Sequence, residues 1–454
     1  MTDLEALQGV ADHVVELATT RNRTEASASI EANVLVARRR HGLTRFANSF
    51  VHQHVGEDTS TVLLTLAVDG RTATASTTAT DVAALTELVD ATIERARLQP
   101  VDPHWPGATP PADLLVAQHA DADTAAAQPD ERARIVKGFV DADPELSAAG
   151  FVDTEHDQVA FASTAGQRTA AASTRATVDG IHQTATSAGA GHRTSLSIRD
   201  LDGPAEGAVA ADLARRSAEF VDVDPGELEV VLGPEAVASI LTFLAVYGFN
   251  AKAHLEGASF ASLGEQQFDA TIDVRNDPAD PRAIGLPFDA EGTPRRTYDL
   301  VASGVTSALA HDRRTARRAG AESTGDALPG GASMGAVPTT VVMPGGDTSP
   351  TELVAGVRRG LLVTQFHYCR VLDPKTLVVT GLTRNGTFLV EDGEIAGAVG
   401  NLRFTQSFID ALGPGNVLGI GDDDRYAAGE FGPGMVLCPS LRLRRWAFTG
   451  GARG

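Results

Sequence analysis

The chain has 454 residues, 38 Lys+Arg against 59 Asp+Glu for a net charge of -21, and 43% hydrophobic residues. That length predicts two or three domains, and the apolar fraction predicts real cores. The negative balance repels nucleic-acid backbone and anionic lipid at long range, so neither is expected as a partner.

The first stretch, residues 3–22, spaces its apolar residues as an amphipathic helix. It has neither the basic start nor the continuous apolar run of a signal peptide. No run is long enough to span a membrane. Cys369 and Cys438 show no metal-type spacing and fit a reducing compartment, so a cytoplasmic location is expected.

From Ala28 the segments "ASIEANVLVARRRHGLTRFANSFVHQHV" and "STVLLTLAVDGRTATASTT" alternate apolar and polar residues. They predict antiparallel strands buried on one side, with "VDGRTA" supplying a turn. A helix follows from Val82, with Asp81 as its cap. "PVDPHWPGATPPADL" reads as a loop, because prolines crowd it. Next come a helix near 127–140, three strands between 151 and 202, and a helix at 207–220. "ELEVVLG" then hands the chain to another helix through Gly233-Pro234. The order predicts an α+β protein of two domains. Residues 1–222 form an N-terminal α/β unit with an antiparallel sheet, and residues 223–454 a β-rich C-terminal unit.

Several constellations invite chemistry. His52 and His54 share a strand face, but no third metal ligand accompanies them, so they are read as exposed strand residues. His367, Tyr368, Cys369 and Arg370 are the densest reactive cluster. A Cys–His pair can form a nucleophile or hold a metal, but lining a cavity is the preferred reading. Asp422, Asp423 and Asp424 are contiguous, unlike the alternating acids of a calcium loop, and read as a solvated turn. Asp289 and Glu291 are an acid/base pair or a charged turn, both readings standing. His254 and Glu256 do not match a His-Glu-x-x-His helix. Neither that helix nor a Gly-x-Ser-x-Gly motif is expected anywhere in the chain.

Seven stretches in order, "LTRFANSFVHQHV…VDGRTATAST", "LGPEAVASIL", "PFDAEGTPRRTYDLVASG", "ESTGDA", "GDTSPTELVAGVRRGLLVT", "FLVEDGEIAGAVGNLRF" and "PSLRLRRWAFTGG", resemble the TldD/PmbA family of metallopeptidases. The resemblance runs from about residue 28 to the end. It implies a choice between two kinds of subunit. TldD-type chains carry a His-Glu-x-x-x-His zinc helix after the "LGP" strand and a late zinc cysteine. TldE (PmbA)-type chains keep the fold without the His motif and pair with a TldD-type chain.

At the motif positions this sequence has Leu241, Thr242 and Val246, none of which binds zinc or acts as a base. Cys438 lies close to where the zinc cysteine would be. The resemblance therefore implies a TldE-like partner in a dimer, related to proteins described as modulators of DNA gyrase. No cofactor is expected in this chain, and zinc is expected in the TldD-type catalytic subunit. An extended peptide would dock by strand addition, with His367, Tyr368, Cys369 and Arg384 lining this chain's wall of the chamber. Two alternatives are a hydrolase in its own right using His367, Cys369 and Cys438, and a stand-alone peptide-binding protein.

Overall fold

The structure, a computed structural model, describes residues 2–24, 28–430 and 432–451. In the N-terminal half the elements are α1 (Asp3–Thr24), β1 (Ile30–Ala47), β2 (Phe50–Val68), β3 (Arg71–Thr77), α2 (Val82–Arg97), α3 (Ala122–Ala126), α4 (Pro129–Asp141), β4 (Ser147–Ser163), β5 (Arg168–Gln183), β6 (Ala188–Ser195) and α5 (Gly203–Arg216). The six strands form one antiparallel sheet in the order β3-β2-β1-β4-β5-β6.

Local chemistry sets these elements. Asp69 and Gly70 both adopt positive φ, 49° and 75°, the two-residue turn whose twist suits a hairpin, and so β2 returns as β3. Asp81 accepts a hydrogen bond from Ala84 N at 3.0 Å and caps α2 as predicted. Alternation then divides the sheet's faces. Val34 and Val36 point to a layer made by α1 and α2, while Phe46 and Val178 meet Phe139 of α4 and Ala210 of α5. Leu35, Val159, Phe161 and Ala171 point the other way, onto Phe288 of the second half.

The C-terminal half is β-rich. It contains β7 (Phe220–Val221), β8 (Gly226–Leu232), α6 (Pro234–Phe243), α7 (Ala251–Leu255), β9 (Val274–Asn276), β10 (Tyr298–Ala302), β11 (Val305–Thr306) and β12 (Val341–Val342). There follow β13 (Arg359–Asp373), β14 (Val378–Glu391), β15 (Glu394–Val399), β16 (Leu402–Ser407), β17 (Val417–Ile420), β18 (Arg425–Gly429), β19 (Gly432–Cys438) and β20 (Leu441–Gly451). One sheet runs β11-β10-β9-β12-β19-β18, and a larger one joins β13, β8, β20, β16, β14, β15 and β7. Helix α6 lies between them, against β13 of one and β18 and β19 of the other. Because β7 pairs in parallel with β15, the C-terminal sheet begins at Phe220, slightly before the boundary read from sequence.

The proline-rich loop is pinned rather than free. Arg313 reaches it with its guanidinium, donating to Gly107 O at 2.7 Å, Thr109 Oγ1 at 2.9 Å, Ala108 O at 3.2 Å and Pro106 O at 3.3 Å. Thr109 Oγ1 in turn donates to Glu291 O at 2.7 Å, and Gln167 Nε2 to Gly292 O at 2.9 Å. Gly292 itself sits at φ 70°, and a Cβ there would lie 2.2 Å from the Phe161 ring. Gly292→Ala should therefore destabilise the protein by roughly 2–4 kcal/mol, from overpacking and left-handed strain together. Urea unfolding followed by circular dichroism checks this; a midpoint equal to wild type would show that the seam yields freely.

Candidate functional site

Helix α6 starts where Gly233-Pro234 ends β8, and Pro at the first turn costs no hydrogen bond. Its sequence from Ala236 is apolar on every side, so it can only be a buried helix. Ala236, Val237, Ala238 and Ile240 have no exposed surface, and Leu241 and Thr242 keep 1% and 2%. A π-helical turn, Leu244–Gly248, follows, and α7 continues to Leu255.

The positions that the resemblance assigns to zinc ligands are thus core. Leu241 packs in the main apolar cluster and Val246 packs against it. Thr242 Oγ1 donates to Ala238 O at 2.7 Å, its own helix. Cys438 is fully buried and its Sγ donates to Pro234 O at 3.3 Å. Burial pushes that thiol far above its usual range, with Glu235 adding to it. These residues do not fit a zinc ion: one carbon-lined helix and a protonated thiol offer no ligand set. His254 lies on α7 and Glu256 caps its C-terminal end, tied to Lys252 at 2.7 Å.

The predicted cavity residues divide. β13 carries an irregularity between His367 and Arg370, and Tyr368 adopts φ 53°, uncommon for a bulky residue. Tyr368 is therefore turned outward. A cavity of about 700 Å³ opens between this stretch, Arg384 and Asn385 of β14, and the Gln183–Ala188 turn of the N-terminal sheet. His367, Tyr368 and Arg384 all line it. Burial lowers the His367 pKa, and Arg384 lowers it further, so its imidazole is neutral near neutral pH. Cys369 is not on that wall; it points inward with 1% exposure, and Gly381 leaves room for its sulfur. Burial pushes its thiol up as well, followed by the negative charge of Glu430. The strand places His367 and Cys369 on different sides of the bulge, which two-residue spacing alone could not reveal.

Other constellations resolve into structure. His52 and His54 are exposed, and His54 Nδ1 meets Thr44 Oγ1 at 2.9 Å. The Asp422–Asp424 run is more than a solvated turn. Asp423 accepts Ser440 N at 2.8 Å and Ser440 Oγ at 2.7 Å, and Asp424 pairs with Arg282 at 2.8 Å. Asp289 and Glu291 form a charged turn buried at the seam. Asp289 accepts backbone N–H bonds from Glu291, Thr293 and Ala327 at 2.9 Å each. Glu291 Oε2 accepts Arg313 N at 2.8 Å. Desolvation raises both carboxyls; the charge of Asp326 adds to it for Asp289, and those of Asp289 and Asp312 for Glu291, while Arg313 opposes it.

Two features went unread. The stretch from Gly331 to Gly335 has Gly-x-Ser-x-Gly spacing, but Ser333 is exposed in a single 3-10 turn and not at a strand-to-helix elbow. On the N-terminal sheet, His41, Asp153 and Glu155 converge, the one such group of His, Cys, Asp and Glu among the described residues. Arg175 contacts Asp153 at 3.1 Å and Glu155 at 2.8 Å, and Arg39 contacts Glu155 at 2.6 Å. The carboxylates are already neutralised, which makes this an ion-pair network. Period-2 alternation puts these residues on one face, but only the β1–β4–β5 register aligns them.

A two-domain α+β chain with this buried helix and a β-rich second half defines a TldD/PmbA-type fold. Residues 225–450 match the PmbA/TldA metallopeptidase C-terminal domain. The chain belongs to the TldD/PmbA family. It is 27% identical over 211 residues to a metalloprotease of Methanothermobacter thermautotrophicus, a match covering 46% of this chain and 45% of that protein. The chain thus spans about half the length of that relative. Among solved structures, a candidate modulator of a DNA gyrase from Thermotoga maritima superposes with TM-score 0.84 at 18% identity, covering 97% of this chain and 99% of the other. TldE from Thermococcus kodakarensis gives TM-score 0.83 at 18% identity, covering 92% and 97%.

Burial of the thiols makes a chemical expectation. Neither Cys369 nor Cys438 should react with Ellman's reagent in the native protein, and both should react after denaturation; fast native labelling would contradict their placement. The seam makes another. Raised carboxyl pKa values mean that the folded state holds protons the unfolded chain has released. Their contribution is present below the ordinary carboxylate range near pH 4. It is lost as pH rises toward the folded values, about 7 for Asp289 and about 8 for Glu291. Glu291→Gln should flatten that decline. Urea midpoints at pH 5 and pH 8 for both proteins test it, and an equal drop in the variant would remove Glu291 from the explanation.

Proposed function

We propose that this chain is a non-catalytic, TldE/PmbA-like subunit that pairs in the cytoplasm with a TldD-type zinc metallopeptidase acting on unfolded or extended peptides. One observation carries the reading: Leu241, Thr242 and Val246 stand, buried or packed into the core, where the family's zinc helix would present its ligands. A buried apolar helix cannot activate water, so hydrolysis is assigned to the partner, where a zinc ion would polarise the peptide carbonyl and its bound water would attack.

This chain's part is binding and orientation. His367, Tyr368 and Arg384 give its 700 Å³ cavity a neutral imidazole, an aromatic face and a cation. An extended peptide docked by its backbone would use such groups for side-chain contacts. The alternative of an independent hydrolase built on His367, Cys369 and Cys438 loses support from the geometry. Both thiols are buried and held protonated, and a protonated thiol is a poor nucleophile.

The test is reconstitution. The chain purified alone should contain well under one zinc per molecule and should not cleave an unstructured peptide, even with zinc added. Mixed with a TldD-type chain carrying His-Glu-x-x-x-His, it should co-elute as a heteromer that cleaves the peptide. Zinc-dependent cleavage by this chain alone, or no association with the TldD-type chain, would overturn the reading.

A further inference from the structure

The two halves bring two sheet ends together. β6 is the last strand of the N-terminal sheet and β18 the last strand of the six-stranded C-terminal sheet. They come into contact but share no ladder. Where β6 ends and β18 begins, a cavity of about 600 Å³ separates them, with the 118–121 segment as a third wall. A terminal strand presents unpaired N–H and C=O groups along its outer side. A chain entering between two such edges can hydrogen-bond on both sides, without regard to its sequence.

The charges of the slot are not balanced pair by pair. Three carboxylates and three guanidinium groups line it: Asp121, Asp200, Asp424, Arg193, Arg282 and Arg425. Asp121 is engaged as the cap of α3, accepting Thr124 N at 2.7 Å. Asp200 accepts Ser195 Oγ at 2.5 Å. Arg282 holds Asp424 at 2.8 Å and Asp280 at 2.9 Å, and Arg425 holds Glu235 at 2.5 Å. Arg193 alone of the six has a side chain with no hydrogen bond or ion pair among the described residues. Its neighbour Glu206, on α5, lies beyond ion-pair distance, and burial biases that carboxyl toward its neutral form. His119, also in the lining, has Nε2 buried without a partner. A half-buried guanidinium and an orphaned imidazole nitrogen in one polar slot call for an acceptor.

We propose that the slot between β6 and β18 binds the end of an extended peptide, with Arg193 as counter-ion to a peptide carboxylate. Only the identity of the ligand rests on the peptide-handling function above. The slot belongs wholly to this chain and needs neither zinc nor a partner.

Binding is therefore measured on this chain alone, by fluorescence anisotropy with three fluorescein-labelled hexapeptides. The first alternates alanine and threonine with a free carboxyl end, the second is its amide, and the third is an amide carrying one glutamate. The free acid should bind saturably and the plain amide at least tenfold more weakly. Arg193→Ala should weaken the free acid by roughly tenfold or more, as loss of a charge-assisted bond implies. Binding of the glutamate amide at the strength of the free acid would overturn the assignment to a chain end. Ala120→Trp, which fills the slot from an exposed position and leaves every charge in place, should also abolish binding. It decides the matter if Arg193→Ala fails to fold. Equal binding of all three peptides, binding indifferent to both variants, or no binding at all would overturn the proposal. Such failures would leave heteromer formation untouched, and failed reconstitution would leave this binding untouched.

Discussion

Everything in the C-terminal half follows from burying α6 between two sheets. A helix in that position has solvent on no side, so each of its side chains must be apolar or satisfied within reach. The sequence obeys: alanine, valine, isoleucine, leucine and phenylalanine fill it, and Thr242 satisfies its hydroxyl on its own helix. Charge is admitted only at the first turn, where Glu235 meets Arg425. On the resemblance, a zinc centre at the same place would need two imidazoles on this helix and a thiolate from the late cysteine, with a glutamate as base. Packing replaces that requirement here, and the large aromatic cluster around Trp446, Phe404 and Phe408 extends the same core outward.

The N-terminal sheet is docked onto this core by a mixed seam. Phe161, Phe288 and Gly292 supply close apolar contact, and Arg313 ties the 106–108 carbonyls and the Thr109 hydroxyl to the second half. Around that apolar patch the sheet's docking face turns polar, with Arg39, His41, Asp153, Glu155 and Arg175 forming a connected network. The division has a physical reason. Apolar contact excludes water, whereas the charged groups beside it, largely buried, are satisfied by pairing with one another. Two cavities, one beside Tyr368 and one beside Arg193, lie between the halves away from this network.

How far the sequence foretold this depended on range. Period-2 alternation in β1 and β2, the Asp69-Gly70 turn and the Asp81 cap are local signals, and each reads correctly. The strand-to-helix step through Gly233-Pro234 is equally local. Cys369 was misplaced for a different reason: an irregularity in β13 turns Tyr368 outward, and no spacing rule registers one extra residue. The Asp422–Asp424 run looked solvated because its partners, Arg282 and Ser440, lie far away in sequence or across a strand turn. Arg193 gave no signal at all. Its significance comes from what fails to stand next to it, and that is a property of the assembled seam.

The family fold thus separates two tasks that share one scaffold. On the resemblance, zinc chemistry would require ligands on α6, and the apolar side chains found there instead leave its backbone held by packing. Recognition of extended chains requires edges, and edges belong to the sheets themselves. β6 and β18 remain terminal strands whatever α6 carries, since their outer sides are set by strand order and not by residue identity. On the proposed function, a chain whose helix cannot hold zinc would still keep the sheet edges that could grip a peptide backbone. Under the same proposal, Arg193 would add the one thing backbone pairing lacks, a charge that distinguishes the end of a chain from its middle.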